Sequence, residues 1–383
     1  MRVLFDHQIF EMQRVGGISR YFFELITELS TLGIEWQLPI EYSENQYLRS
    51  LSTEIKKFPP EIRDFLPDLK FRGKKYLYKL KEKVNPTPDF KSVNKQKTIK
   101  ALKEGNFDVF HPTYYDDYFL EYLNGKPFVL TVHDFTHELY PEFFLKDPYM
   151  VKKKVLLENA AHIIAISHTT KTDAINFYNV PAEKITVCYH GNSLTGIPKP
   201  IDIPTRYFLY VGGRDTYKNF YFFLRAILPI VNQDNTIKIL CTGKPFSLAE
   251  KKYFTDLGIN ERLVHIAVND AELSFLYQNA IAFVYPSLYE GFGIPILEAF
   301  QYGCPVIASN TSSLKEIGGD AVAYFSPKDQ VSLQITISSL LSDLSFRQQL
   351  VAQGYERVKQ FSWRDTAITT KNAYTIALRA SIS

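Results

Sequence analysis

The chain is 383 residues long, 45% hydrophobic and 22% charged, with a formal net charge of only +3, values that exclude a disordered, fibrous or nucleic-acid-coating protein and exceed what one compact core takes up, so two domains are expected. No apolar run approaches the ~20 residues needed to cross a bilayer, and the start, Met1-Arg-Val-Leu-Phe-Asp-His, has no signal-peptide core. Three cysteines, Cys188, Cys241 and Cys304, without C-x-x-C spacing argue against a disulfide framework or zinc site and for a reduced, cytoplasmic chain.

Arg2 to Phe5 reads as a short buried strand. A loop ending in Gly16-Gly17 follows, and then Ile18, Phe22, Leu25, Ile26 and Leu29 recur at helical spacing with Gly33 as the stop. The glycine pair thus sits where a strand gives way to a helix N-terminus, a place that can offer N–H groups to an anion or a sugar. From about Glu44 to Lys103 the chain is proline-interrupted and strongly basic, and it reads as short helices and loops. A basic face of this kind suits an anionic membrane surface or a phosphate-bearing acceptor. Asn106 to Thr113 is the next strand and loop. Phe128 to Val132 is another, with His133 and Asp134 emerging at its carboxyl tip. Ala161 to Ser167 leads into a helix capped near Ser167, and Lys184 to Tyr189 ends in His190-Gly-Asn192, which reads equally as a cleft-facing pair or a polar turn.

Proline-rich Thr195–Thr205 reads as an inter-domain linker. A second strand–glycine–helix unit opens directly after it: Tyr207–Val211, Gly212-Gly213, then Arg214 and Lys218 before a helix with Phe222, Phe223, Ala226 and Ile227. Two cations beside a glycine turn at a helix start make a diphosphate site in physical terms. Strands at Thr236–Cys241 and Leu263–Val268 follow, and Asp270 is expected to cap the helix Glu272–Asn279. Ala280 to Tyr285 then feeds the stretch Tyr285-Pro-Ser-Leu-Tyr-Glu-Gly-Phe-Gly-Ile-Pro-Ile-Leu-Glu298. It places Glu290 on a loop at a strand's carboxyl end and Glu298 one turn inside the next helix. Gly291 and Gly293 permit close backbone approach, and Pro295 suits the helix start. Each carboxylate can accept two hydrogen bonds from a vicinal diol, so the pair can hold two polyols. A strand at Pro305–Ala308 and a last helix from Ser362-Trp to about Ala380 complete the pattern.

Glu290, seven residues and Glu298, framed by Gly291-Phe292-Gly293, resemble the E-x7-E motif of the retaining glycosyltransferases of family 4. The likeness extends over nearly the whole chain and is weakest between residues 42 and 105. It implies an α/β protein of GT-B type, with two Rossmann-like, doubly wound parallel-sheet domains facing a cleft. The domains would be 1–198, with a variable basic region at 44–105, and 199–362, with 363–383 a helix crossing back to the first. The resemblance also implies roles: Arg214 and Lys218 on the donor diphosphate, Glu298 on the ribose, and Glu290 and His133 at the transferred sugar. Gly291, Phe292 and Gly293 would form the backbone loop beside that sugar, and Gly16 and Gly17 would contact the acceptor or a donor phosphate, Gly17 the diphosphate in particular. The Arg–Lys spacing is one residue shorter than the family's commonest.

These assignments describe transfer of a hexosyl unit from a nucleotide diphosphate sugar to a glycan or lipid-linked oligosaccharide. A GDP-linked hexose is favoured over a UDP-sugar, because Tyr-Val-Gly-Gly-Arg…Tyr-Lys-Asn is most similar to the O-antigen mannosyltransferase branch. No D-x-D motif occurs and no G-x-G-x-x-G fingerprint, so neither a metal nor another cofactor is expected, and no nucleic-acid partner. The expected location is cytoplasmic, with peripheral contact at the inner membrane face through residues 56–103. The rival readings are a nucleotide-sugar 2-epimerase of the same shape and a non-catalytic protein that binds a sugar nucleotide or glycan.

Overall fold

The computed structural model describes residues 1–51, 54–58, 76–77, 80, 89–144, 149–214 and 216–380. About half of the basic stretch, residues 59–75 and 81–88 in particular, lies outside them, and with it much of the surface expected to meet a membrane. The chain divides into two compact units. Unit 1 comprises Met1–Thr131, Pro148–Ile164 and Ala367–Ser383; unit 2 comprises Val132–Asp147 and Ala165–Thr366.

Unit 1 is built on a parallel sheet of order β2-β1-β3, formed by β1 (Arg2–Phe5), β2 (Glu35–Gln37) and β3 (Val109–His111). Val3, Leu4 and Phe5 are wholly buried, as suits a strand covered on both faces. The helix Gly17–Thr31 presents Phe22, Leu25, Ile26 and Leu29 to the core at the expected spacing, and Gly33 follows it at φ +71°. Among the described residues of the basic region is the long helix Phe90–Glu104, capped by Asp89, whose side chain accepts from the Ser92 N–H, and followed by left-handed Gly105. At the tip of β3, His111 is buried between Thr131 Oγ1 (2.8 Å) and the Tyr374 hydroxyl (2.7 Å). Tyr374 belongs to the helix Trp363–Ala380, whose residues from Ala367 onward are part of unit 1.

A second three-stranded sheet has the order β4-β5-β6, with β4 Val129–Val132, β5 His162–Ala165 and β6 Ile185–Val187. The boundary between the units falls within β4 and β5.

Unit 2 carries a six-stranded parallel sheet: β7 (Tyr207–Tyr210), β8 (Lys238–Cys241), β9 (Leu263–His265), β10 (Ala282–Tyr285), β11 (Val306–Ser309) and β12 (Val322–Phe325). Their order is β12-β11-β10-β7-β8-β9, with each strand parallel to its neighbours. Chain order runs outward in one direction from β7 and in the other from β10, so the topological switch lies between those two strands. Along β7, Tyr207 and Leu209 join one buried cluster and Phe208 and Tyr210 the other, which puts packed helices on both faces. The helix Ile294–Gln301 supplies Ile296, Leu297 and Phe300 to the first cluster, and the helix Phe220–Gln233 supplies Phe223 and Ile227 to the second. All three cysteines are buried; Cys188 donates to the Thr366 carbonyl, and burial pushes the Cys241 and Cys304 thiols up.

One local expectation is corrected. The helix Asp270–Asn279 is capped by Asn269 and not by Asp270: the Asn269 side chain accepts from the Glu272 N–H, and Glu272 accepts in return from the Asn269 N–H. Position N3 holds the glutamate that makes the box reciprocal, and that fixes the cap one residue earlier.

Candidate functional site

In an open α/β sheet the carboxyl ends of the two strands at the switch point leave a crevice between the loops that follow them. In unit 2 those loops are the glycine turn after β7 and the Glu290 turn after β10, and their charged residues meet. Lys218 Nζ lies 2.7 and 2.9 Å from the two Glu290 oxygens. Both side chains are largely covered, with 21% and 12% of their surface exposed, so solvent screens the pair only in part. Burial alone would lower the Lys218 ammonium pKa. The Glu290 charge and hydrogen bonds outweigh it, with help from Tyr217, and the net shift is upward. Lys218 also sits 4.9 Å over the Tyr217 ring.

The Glu290 loop is held from several sides within unit 2. Its N–H donates to Ser312 Oγ (3.1 Å), while Ser313 Oγ donates to the carbonyls of Glu290 and Phe292, each at 2.8 Å. Ser312 holds φ at +47°, a strained value for a serine, directly against the site. The buried Tyr285 hydroxyl also bonds Glu290, and burial followed by that carboxylate raises its pKa well above the usual tyrosine value. Tyr289 turns the other way: its hydroxyl donates to Asp173 (2.6 Å) and accepts from the Phe135 N–H (3.3 Å). Gly291 packs on the backbone of His133, where a Cβ would lie 1.9 Å from the carbonyl oxygen. Its own carbonyl accepts from Ser167 Oγ (2.7 Å) and Thr170 Oγ1 (3.3 Å). Gly293, at φ +111°, precedes the helix that carries Glu298.

Glu298 is buried and accepts from the Tyr277 hydroxyl at 3.0 Å. Burial, then the Glu298 charge, pushes the Tyr277 pKa well up, so the phenol stays protonated and donating. His133, also buried, lies 6.3 Å ring to ring from His190. His190 packs in turn on Phe292 (4.7 Å) and Trp363 (5.6 Å). The His190-Gly-Asn192 turn is therefore part of a buried aromatic stack behind the glycine loop.

Burial, with His133 alongside, holds the His190 imidazole well below its ordinary value of 6.5. The unfolded chain consequently binds the proton more readily. Stability is full above pH ~6.5 and falls as the pH drops from there toward the folded value, at up to ~1.4 kcal/mol per pH unit for this one group. Thermal unfolding followed from pH 7.5 to 5.5 should show that slope, and His190→Phe should flatten it. An unchanged slope in the variant would assign it to other groups.

Arg214 takes a different position from the one its sequence setting suggests. It is only 9% exposed, and its guanidinium is already committed. Nε pairs with Glu250, and Nη2 donates to the carbonyls of Lys244 (2.8 Å) and Pro245 (3.3 Å), with the group 4.9 Å over the Phe246 ring. Glu250 is also the N3 residue of the capping box that opens the helix Leu248–Asp256. Arg214 thus pins the loop after β8. The structure brings together Lys218, Glu290, Gly291, Phe292, Gly293 and His133, and places Glu298 on the adjoining helix; no contact between Arg214 and that group is among its hydrogen bonds or ion pairs described above.

Gly16 and Gly17 belong to unit 1. Gly16 is the N-cap of the helix Gly17–Thr31, and its carbonyl accepts from Arg20 N–H (3.0 Å). One N–H of the first turn is occupied, since Ser19 donates to the Gln13 side chain (3.0 Å). Around Gly17 a Cβ would meet nothing within 4 Å. Residues to which sequence reasoning gave no role are Tyr217, Tyr285 and Tyr289, whereas Ser312 and Ser313 lie in the polar run Ser309-Asn310-Thr-Ser-Ser, which the family resemblance puts in a turn beneath the donor. The two tyrosines nearest Glu290 stand in the same motif and were legible as polar aromatics beside it. The two serines lie 22 and 23 positions on from Glu290, and their bonds to it follow from the packing of the two loops.

Two family models match the chain: residues 198–357 match "Glycosyl transferases group 1" and residues 15–194 match "Glycosyltransferase Family 4". O-antigen chain mannosyltransferase B of Escherichia coli is 32% identical over 293 residues, which cover 72% of this chain and 76% of that protein. O-antigen chain mannosyltransferase RfbU of Salmonella typhimurium is 30% identical over 213 residues, 55% of this chain and 60% of that one. Among solved structures, Anabaena Alr3699/HepE in complex with UDP and glucose superposes with a TM-score of 0.70 at 17% identity, covering 98% and 99% of the two chains. A glycosyltransferase from Rickettsia africae ESF-5 gives 0.68 at 16% identity, covering 99% and 98%. With this fold, these two models and a relative at that identity and coverage, the chain belongs to glycosyltransferase family 4 and is a glycosyltransferase of the GT-B fold, with parallel sheets in two Rossmann-like domains.

Proposed function

We propose that this glycosyltransferase moves a hexosyl group, with retention, from a nucleotide diphosphate sugar to a glycan acceptor in bacterial surface-polysaccharide synthesis. The observation that carries the reading is the Lys218–Glu290 pair at the switch point of the unit 2 sheet. A cation and a hydroxyl-accepting carboxylate side by side fit the two things such a donor presents there, a diphosphate and a sugar. GDP-mannose is the favoured donor, since two similar proteins are named O-antigen chain mannosyltransferases. A UDP-sugar is second, in keeping with UDP and glucose in a fold neighbour.

In the reaction the bond from the anomeric carbon to the diphosphate oxygen breaks, and a bond to the acceptor oxygen forms on the same face. The acceptor proton passes to the departing phosphate oxygen. Lys218 stabilises the negative charge that develops on the leaving group. Glu290 accepts from hydroxyls of the sugar, His133 borders it, and the backbone of Gly291, Phe292 and Gly293 lines its seat. Glu298 accepts from the ribose. Arg214 serves the diphosphate either directly, after leaving Glu250, or by holding the loop after β8. Gly16 and Gly17 serve the acceptor or a donor phosphate. No step requires a metal or other cofactor. A lipid-linked acceptor would bring the enzyme to the membrane through residues 56–103.

Calorimetric titration with GDP, UDP, ADP and their hexose conjugates tests the reading. One nucleotide should bind in the micromolar range, and Lys218→Ala should weaken it by ~30-fold or more, the low end for removing a partner from a desolvated charge contact. If no nucleotide binds, or the variant binds as the parent does, the donor site is not here.

A further inference from the structure

Unit 1 contains a cavity of about 470 Å³ that none of the donor-site residues line. Its walls include Trp36 of the edge strand β2, the aliphatic Ile40, and four charged residues, Glu41, Glu54, Lys56 and Lys97. The volume is within the range of small-molecule sites. Glu41 lies at the centre of its polar side, with one carboxylate oxygen 2.8 Å from Lys56 Nζ and the other 2.8 Å from Lys97 Nζ. The arrangement is fixed by neighbours. The Glu41 N–H donates to buried Asn94 (2.8 Å), and the Trp36 indole N–H donates to Ser30 Oγ (2.7 Å), which sets the plane of the ring.

The chemistry of the walls selects a ligand class. Two glutamates against two lysines leave no net charge, which disfavours a phosphate or a nucleotide. The charged rim disfavours an acyl chain. An indole face beside a doubly bonded carboxylate and two ammonium groups instead matches a neutral pyranose. The ring's C–H face packs on the indole, its hydroxyls donate to the remaining lone pairs of Glu41, and its oxygens accept from the lysines. Hydrogen bonds to ionised groups are the stronger kind, and a pre-set site loses little entropy on binding.

We propose that this cavity is a second carbohydrate site, which holds a hexose unit of the acceptor glycan. The inference rests on the reading that the acceptor is a glycan. Its role would be to tether a chain already several units long, and so to set a preference for longer acceptors.

An α-linked mannotriose is the probe, titrated by calorimetry and by tryptophan fluorescence, with GDP and UDP titrated in parallel. The chain has two tryptophans, and Trp363 is buried in the aromatic stack of unit 2, so a sugar-dependent change reports on Trp36. The parent should bind the trisaccharide saturably. Trp36→Ala should abolish the fluorescence change and weaken binding about tenfold or more, and Glu41→Gln about tenfold, which is the loss of one charge-assisted hydrogen bond. Nucleotide affinity should not move in either variant. Glu41→Gln removes no core side chain, so it keeps the test decisive if Trp36→Ala is poorly folded. Nucleotide binding by the parent without mannotriose binding would overturn the inference alone. So would mannotriose binding that both variants retain at parental strength. Loss of nucleotide binding in the parent as well would instead bring down the reading on which the inference rests.

Discussion

Lys218→Ala should lower kcat/KM for transfer by roughly 10²–10³, the cost of removing one preorganised electrostatic partner of a leaving group. Glu290→Gln should divide the two readouts. In the resting site Lys218 and Glu290 satisfy one another through two short contacts. A donor diphosphate has to take Lys218 away from that carboxylate. Neutralising Glu290 therefore frees the ammonium and removes a negative charge facing the incoming phosphates, so nucleoside diphosphate affinity should rise by about threefold to tenfold. Transfer should nevertheless fall by at least about tenfold, because an amide holds sugar hydroxyls less strongly than a carboxylate. Calorimetry with the nucleotide beside a steady-state transfer assay checks both. If Glu290→Gln bound nucleotide more weakly, the ion pair would be a scaffold that positions Lys218 and not its competitor. If both variants kept full transfer, the pair would have no part in the reaction.

Gly291→Ala should be among the most damaging single changes in unit 2. The added carbon would lie 1.9 Å from the His133 carbonyl oxygen and 2.9 Å from the Asp134 Cβ, and the first of these is backbone that cannot rotate aside. Relief requires parting the glycine loop from the β4 tip, which also pulls the Gly291 carbonyl away from Ser167 and Thr170. A cost of about 3 kcal/mol is expected, at the upper end for overpacking, with transfer reduced well beyond what the stability loss explains. Gly17→Ala gives the contrast. A methyl there meets nothing in the protein, so the fold should tolerate it to within about 0.5 kcal/mol. Any loss of transfer in that variant would report close approach of a substrate to Gly17. Unfolding midpoints measured beside initial rates separate the two cases. A stable, active Gly291→Ala enzyme would show that the loop and the strand tip do not need to touch.

Most of this architecture was legible because its signals are local. Continuous apolar runs gave β1, β7 and β10 almost to the residue, and Gly212 and Gly293, both at positive φ, marked the turns after β7 and β10. The E-x7-E stretch was legible for the same reason: strand, loop and helix follow one another without interruption from Ala282 to Gln301. Two short strands escaped. β2 has only three residues and its outer two are exposed, so it offers no apolar run, and β12 follows a glycine pair that reads as an ordinary turn. Arg214 shows where local reading ends. Its glycine turn pointed to a diphosphate ligand, yet its present partner, Glu250, stands 36 positions along the chain, and only the packing of the loop after β8 on the turn after β7 reveals it. The Lys218–Glu290 contact spans 72 positions and follows from strand order, which no sequence window contains.

The burial of Cys188, Cys241 and Cys304 has a practical side. Thiolate is the reactive form, and burial keeps two of these thiols protonated well beyond neutral pH. The native enzyme should therefore ignore maleimide reagents at neutral pH without any cysteine being replaced. A single cysteine introduced on an exposed helix position of each unit would then be the only fast-labelling site, and dye pairs placed that way could follow movement between the two units as donor and acceptor arrive.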